Sequence, residues 1–268
     1  MAASDVPVCL VFAANDPSGG AGLQADIEAM ASMGCHAAPV ITAVTVQDTE
    51  NVQAVEPVRV STVIHQARTI LEDMPVAAVK IGLLPDVSTV EAIHSILSDF
   101  PVTPVVLDPV IRAGGGSRLI DDETKNAMAT LLFPQTTVLT PNGPEARQFS
   151  LCTDNLDACG FSLLEAGCEY VLISGGHERD EQVTNTLFGN HRVLERFQWQ
   201  RLPGEFHGTG CTLASSIAGL LSHGQEPLSA ISEAQQYTWE AIRNAYRAGR
   251  GQLLPNRFFW ASNKRERS

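Results

Sequence analysis

Gly208-Thr209-Gly210-Cys211 stands directly before a run in which Leu213, Ile217, Leu220 and Leu221 recur at helical spacing. At such a junction the free backbone N–H groups and the positive end of the helix dipole attract an anion, so a phosphate or a developing alkoxide can be held there. A glycine pair before a helix also serves as an ordinary structural turn, and the loop gains weight only from its surroundings. Cys211 falls in the first turn, where a helix terminus is expected to lower a thiol pKa and make it a candidate base or acceptor. His207 beside the loop is either part of this chemistry or simply exposed.

Two carboxylates occupy related places. Asp108 ends the apolar run Val105-Val106-Leu107, and Glu145 follows Val138-Leu139 by way of Thr140-Pro141-Asn142. Both fall on the ligand-binding edge of a parallel sheet, where one or two carboxylates plus phosphate oxygens suit Mg²⁺. Glu145 can equally be a helix N-terminal acid beside Asn142, whose side chain would cap Gly143 to Glu145. Gln47 follows an apolar strand and offers both a donor and an acceptor to a heteroaromatic ring edge, or is an ordinary loop amide. No segment reads Gly-x-x-x-x-Gly-Lys-Ser/Thr, and none gives a full Gly-x-Gly-x-x-Gly, so two common nucleotide motifs are absent. The only lysines are Lys80, Lys125 and Lys264, none in a glycine loop. A triphosphate would then be met by backbone amides, arginine and a carboxylate-held divalent ion.

The elements that must position these residues alternate. An apolar strand at 8–13 stops at the loop Asn15-Asp16-Pro17-Ser18-Gly19-Gly20, and Leu23, Ile27 and Met30 then follow helical spacing. The pattern predicts strands near 38–46, 76–81, 104–107, 137–139 and 170–173. Helices are predicted near 60–73, 87–98, 122–132, 143–149 and 156–166. An antiparallel pair at 184–188 and 193–200 comes next, and helices from about 211 and over 228–246 finish the chain. Repeated βα units imply a mostly parallel sheet covered by helices on both faces, with a small antiparallel edge. The chain reads as one domain over 1–268, with a frayed polar tail from about Pro255.

Composition agrees. The 268 residues are 44% apolar, enough for a sizeable core, and the formal net charge of −12 argues against nucleic acid or an anionic membrane surface. No apolar run approaches the ~18 residues of a membrane span. Met1-Ala2-Ala3-Ser4-Asp5 lacks a positive signal region, so the expected location is cytoplasmic. The six cysteines show no metal-ligand spacing; Cys9, Cys35, Cys152, Cys159 and Cys168 read as buried free thiols.

An ordered set of segments resembles one family. Ala14-Asn15-Asp16-Pro17-Ser18-Gly19-Gly20-Ala21-Gly22 is similar to the N-terminal signature of hydroxymethylpyrimidine/phosphomethylpyrimidine kinases. It is followed by Ile41-Thr42-Ala43 with Gln47, Lys80-Ile81-Gly82-Leu83, Leu107-Asp108-Pro109-Val110, Thr140-Pro141-Asn142 with Glu145, Gly175-Gly176-His177, and His207-Gly208-Thr209-Gly210-Cys211-Thr212. The resemblance implies a ribokinase-like fold, a homodimer, and transfer of the ATP γ-phosphoryl group to a pyrimidine alcohol and then to its monophosphate, in thiamin biosynthesis. It places Ala14, Ala21, Asp26, Gln47, Leu83 and Val110 in the pyrimidine pocket. Asn142, Ser174 and Thr209 would meet ATP, with Glu145 and Asp108 at Mg²⁺. Gly208, Gly210 and Cys211 would form the catalytic anion hole, Cys211 standing where sugar-kinase relatives carry an aspartate base.

The chain departs from that pattern at three places: Ser174 stands where a lysine is common, Asn15 for serine and Leu83 for methionine. Two rival readings follow, a pyridoxal or mixed vitamin kinase and a catalytically silent pyrimidine- or nucleotide-binding regulator.

Overall fold

The computed structural model describes residues 6–99, 104–150, 155–176 and 182–262. Strand β1 (Val8–Asn15) alternates its side chains between two cores: Leu10 and Phe12 join one apolar cluster, Cys9, Val11 and Ala13 the other. A strand buried on both faces must have helices on both sides, and it does. Helices α1 (Gly22–Ser32), α7 (Thr209–Ser222) and α8 (Pro227–Arg243) cover one face. On the other lie α2 (Val60–Asp73), α3 (Val87–Ser98), α4 (Asp122–Ala127), α5 (Gly143–Phe149) and α6 (Leu156–Glu165).

The remaining strands are β2 (His36–Gln47), β3 (Val52–Pro57), β4 (Val76–Ile81), β5 (Val105–Leu107), β6 (Val138–Leu139), β7 (Tyr170–Ile173), β8 (Gln182–Gly189) and β9 (Arg192–Gln200). They form one sheet in the order β3-β2-β1-β4-β5-β6-β7-β8-β9. The strands from β2 to β7 in that order are parallel, and β3, β8 and β9 are antiparallel to their neighbours. The connections leave β1 toward β2 on one side and return to β4 on the other. A crevice therefore opens at the C-terminal ends of β1 and β4, the usual ligand position in such sheets.

Three expectations change. Strand β3, paired with β2 through Val46↔Ala54 and Thr45↔Val55, gives the sheet a second antiparallel edge. Its turn carries no glycine signal and instead uses Asp48 Oδ1, which accepts from Glu50 N and Asn51 N. The helix anticipated over 122–132 is α-helical only to Ala127, with a π turn at Met128–Leu132 and a 3₁₀ turn at Phe133–Gln135. Finally, the segment from Pro255 to Ser262 is not a frayed tail. Arg257 is fully buried, its backbone O accepts from Tyr237 Oη and Ser32 Oγ, and α9 (Phe259–Ser262) follows. Cys9, Cys35, Cys159 and Cys168 are buried and outside any disulfide, as expected, whereas Cys152 lies outside the described residues.

Candidate active site

Gly208 has φ 84°, and a Cβ there would collide with the carbonyl of Gly20. Only glycine permits both the left-handed turn and the contact between the two glycine loops. The first hydrogen bond of α7 runs from Thr212 N to Gly208 O, so by helix geometry the amides of Thr209, Gly210 and Cys211 have no acceptor within the helix. Beneath them lies Asp108, whose two carboxyl oxygens would both stand 3.7 Å from a Cβ on Gly210.

Next to Asp108 is a charge that sequence patterning passed over. Lys80 is fully buried in β4 and its Nζ stands 2.9 Å from Asp26 Oδ1, which also accepts from Ser215 Oγ at 2.6 Å. Burial alone would depress the ammonium pKa, but Asp26, Cys211 and Asp108 together hold it above its ordinary range. Lys80 is therefore a permanent cation at the cavity floor, a role its position outside any glycine loop concealed. A lone lysine in the apolar run Val76-Ala77-Ala78-Val79-Lys80-Ile81 was the available signal, because such a charge requires a buried partner. Asp26 is that partner. It lies beneath the cavity rather than on its wall, which corrects the expectation that it meets the pyrimidine.

The carboxylates repel one another. Burial raises Asp108 to about 6, against the pull of Lys80, and burial together with the charge of Asp108 raises Glu145 to about 8. The capping role of Glu145 is real: Asn142 N donates to its Oε2 at 2.9 Å while Glu145 N donates to Asn142 Oδ1, also at 2.9 Å. Glu145 also lines the cavity. Cys211 departs from expectation. Burial first, then the charges of Asp108 and Asp26, push the half-buried thiol up to about 12, outweighing Lys80. The helix terminus does not activate it in the free protein.

These groups open onto one cavity of about 860 Å³. Ala14, Ala21, Leu83 and Val110 supply apolar wall, and Gln47, Asn142, Ser174 and Thr209 line the same cavity. His207, buried rather than exposed, joins Gln47 to Asp16. Asp16 was not anticipated. Despite burial it is held below the ordinary carboxylate range by His207, Ser18 and the Ala21 amide. His177 lies outside the described residues.

A family model described as "Phosphomethylpyrimidine kinase" matches residues 16–256. The chain belongs to the phosphomethylpyrimidine kinase family. It is 32% identical over 259 residues to the hydroxymethylpyrimidine/phosphomethylpyrimidine kinase of Bacillus subtilis, covering 95% of this chain and 96% of that one. It is 35% identical over 263 residues to a thiamine biosynthesis bifunctional protein of Geobacter sulfurreducens; there it covers 96% of itself but spans only 54% of the relative. Among solved structures, the ADP complex of Bacillus subtilis pyridoxal kinase is similar at TM-score 0.87 and 27% identity, covering 97% of this chain and all of that one. The fold is thus the ribokinase-like α/β architecture of the vitamin kinases. Among the described residues no helix is long and apolar enough to cross a membrane.

Proposed function

We propose that this phosphomethylpyrimidine kinase family member phosphorylates 4-amino-5-hydroxymethyl-2-methylpyrimidine with ATP and then phosphorylates the resulting monophosphate. The observation that carries the reading is the mixed lining of one cavity: a buried cation and helix amides without an acceptor in their own helix, together with a neutral amide and apolar side chains.

The ring would lie between Ala14, Ala21, Leu83 and Val110, with Gln47 on its polar edge. Its hydroxymethyl group would then point to the start of α7. The amides of Thr209, Gly210 and Cys211, with Lys80 below, stabilise charge that develops there; positioning and electrostatics carry most of phosphoryl transfer. For the hydroxyl proton we assign the Cys211–Asp108 pair. Asp108 is the member whose pKa lies near neutrality, the best match for a general base, while Cys211 stays protonated and contacts it. Asn142, Ser174 and Thr209 would meet the nucleotide, with the Ser174 hydroxyl and neighbouring backbone in place of a lysine.

Asp108 and Glu145 fit a divalent cation, because burial raises each and the charge of Asp108 raises Glu145 further, a deficit that Mg²⁺ would relieve. Among the described residues no group of three or more His, Cys, Asp or Glu forms a protein cage, which suits an ion that takes its remaining ligands from phosphates and water. Bound there, Mg²⁺ would neutralise phosphate charge.

Pyridoxal is the second acceptor to weigh, on the strength of the likeness to pyridoxal kinase. ADP release measured with the pyrimidine alcohol, with pyridoxal and with no acceptor separates the readings. Turnover with the pyrimidine and product analysis showing a diphosphate are expected. Preference for pyridoxal, or no acceptor-dependent release, would overturn the assignment. A homodimer and cytoplasmic location remain part of the proposal by family likeness.

A further inference from the structure

The contacts around Gln47 contain one hydrogen-bond conflict with one resolution. His207 Nε2 stands 2.7 Å from Asp16 Oδ2. A carboxylate held ionised accepts only, so Nε2 must carry the hydrogen and donate it. Gln47 Nε2 lies 2.9 Å from that same ring nitrogen, which sets one donor against another. At the other end, Thr45 Oγ1 lies 3.1 Å from Asn15 O and 3.2 Å from Gln47 Oε1, and its single hydrogen is shared between them. Turning the planar amide end over end removes the clash of donors within the same volume. His207 then shares its Nε2 hydrogen between Asp16 and Gln47 Oε1, while Thr45 donates to Asn15 and accepts from Gln47 Nε2.

We propose that Asp16, His207 and Thr45 are positioning residues that lock the Gln47 carboxamide in one orientation, and so decide which hydrogen-bonding edge of a pyrimidine this enzyme accepts. The inference rests on the pyrimidine reading of the cavity. The locked amide retains one N–H and one oxygen lone pair for the ligand. They match an edge with a ring-nitrogen acceptor beside an amino donor, as in a 4-aminopyrimidine. A 4-oxopyrimidine carries N–H beside C=O and would need the amide turned the other way, against both His207 and Thr45. A site built to pair with a polar edge rejects its mismatch far more strongly than a hydrophobic wall rejects a shape.

The test is the ratio of kcat/KM for the 4-amino-5-hydroxymethyl alcohol to that for its 4-oxo analogue, taken on a single preparation so that loss of active enzyme cancels. The wild type should favour the amino compound by on the order of 10³-fold. His207→Gln replaces a fixed donor by an amide that can donate or accept, and should narrow the ratio by at least about 10-fold. Should His207→Gln fail to fold, Thr45→Val on the partly exposed strand β2 releases the other end of the amide and carries the same expectation. A folded variant that keeps the wild-type ratio overturns the lock. A wild type that phosphorylates neither alcohol overturns instead the pyrimidine assignment, so the two failures are distinct.

Discussion

Two sets of residues in the cavity solve opposite electrostatic problems. Around the start of α7, Lys80, Asp26, Asp108 and Glu145 are all buried, Asp26 and Asp108 hold Lys80 charged, and the charge of Asp108 raises Glu145. Around Gln47 the lining offers a neutral amide and apolar side chains, and the charge of Asp16 is already satisfied by His207, Ser18 and the Ala21 amide. The first set suits a group whose charge changes during reaction; the second suits one that must be told apart from near neighbours. Rate and selectivity should therefore respond to different residues.

The largest effect is expected from Lys80→Met. Turnover should fall on the order of 10³-fold, the upper range for losing one electrostatic contact to a transition state. The fold should weaken by about 3–5 kcal/mol, because Asp26 would be left as an unpaired buried charge. Pairing Lys80→Met with Asp26→Leu should restore thermal stability while turnover stays low. If activity returned with stability, Lys80 would be only structural and the contrast between the two sets of residues would collapse.

Asp108→Asn against Cys211→Ala sharpens the proton assignment. The first should cost on the order of 10²-fold in kcat, the lower range for a general base. The second should cost less than about 10-fold, since the thiol is not the group that titrates near neutrality. A reversed order in rapid-quench rates would return the base to Cys211.

The smallest effect is on stability against pH without nucleotide. Asp108 and Glu145 hold protons in the folded protein up to about 6 and about 8, above their ordinary values of 3.8 and 4.5. The folded state therefore binds more protons than the unfolded one between those limits, and stability declines as pH rises from about 4 through 8. Calorimetric Tm of the nucleotide-free protein should fall across that window, and Mg²⁺ with a non-hydrolysable nucleotide should flatten the slope. An equal slope with and without the ligand would remove both carboxylates from the cation site.

Most of this arrangement was legible in the sequence because the parallel strands place their C-terminal residues at a common edge. Gln47, Asp108, Asn142 and Ser174 each end or follow a strand whose apolar run was clear. Glu145 was readable in two ways, of which the structure shows the capping box. Two charged groups escaped notice for one cause: partnership across distant chain segments leaves no local pattern. Lys80 gains its role from Asp26, 54 residues away, and Asp16 from His207, 191 residues away. The thiol of Cys211 was misjudged because a helix terminus is visible in sequence whereas desolvation is not. Strand β3 was hidden by its half-exposed side chains, which weaken the alternation that marks a strand.

Arg257 gives the molecule a late moment of completion. Its guanidinium donates to the Gly20 carbonyl, to Thr212 Oγ1 and to Glu28, so it bridges the first glycine loop, the first turn of α7 and helix α1. Both halves of the anion hole thus wait for a side chain that follows them in the sequence. During synthesis the ribosome can release the sheet, both helical layers and every catalytic side chain before the clamp that holds the two loops together has left the exit tunnel. Nascent chains stalled with Arg257 still in the tunnel should bind nucleotide more weakly than chains stalled beyond it, and in that sense the site is closed by a residue made after everything it joins.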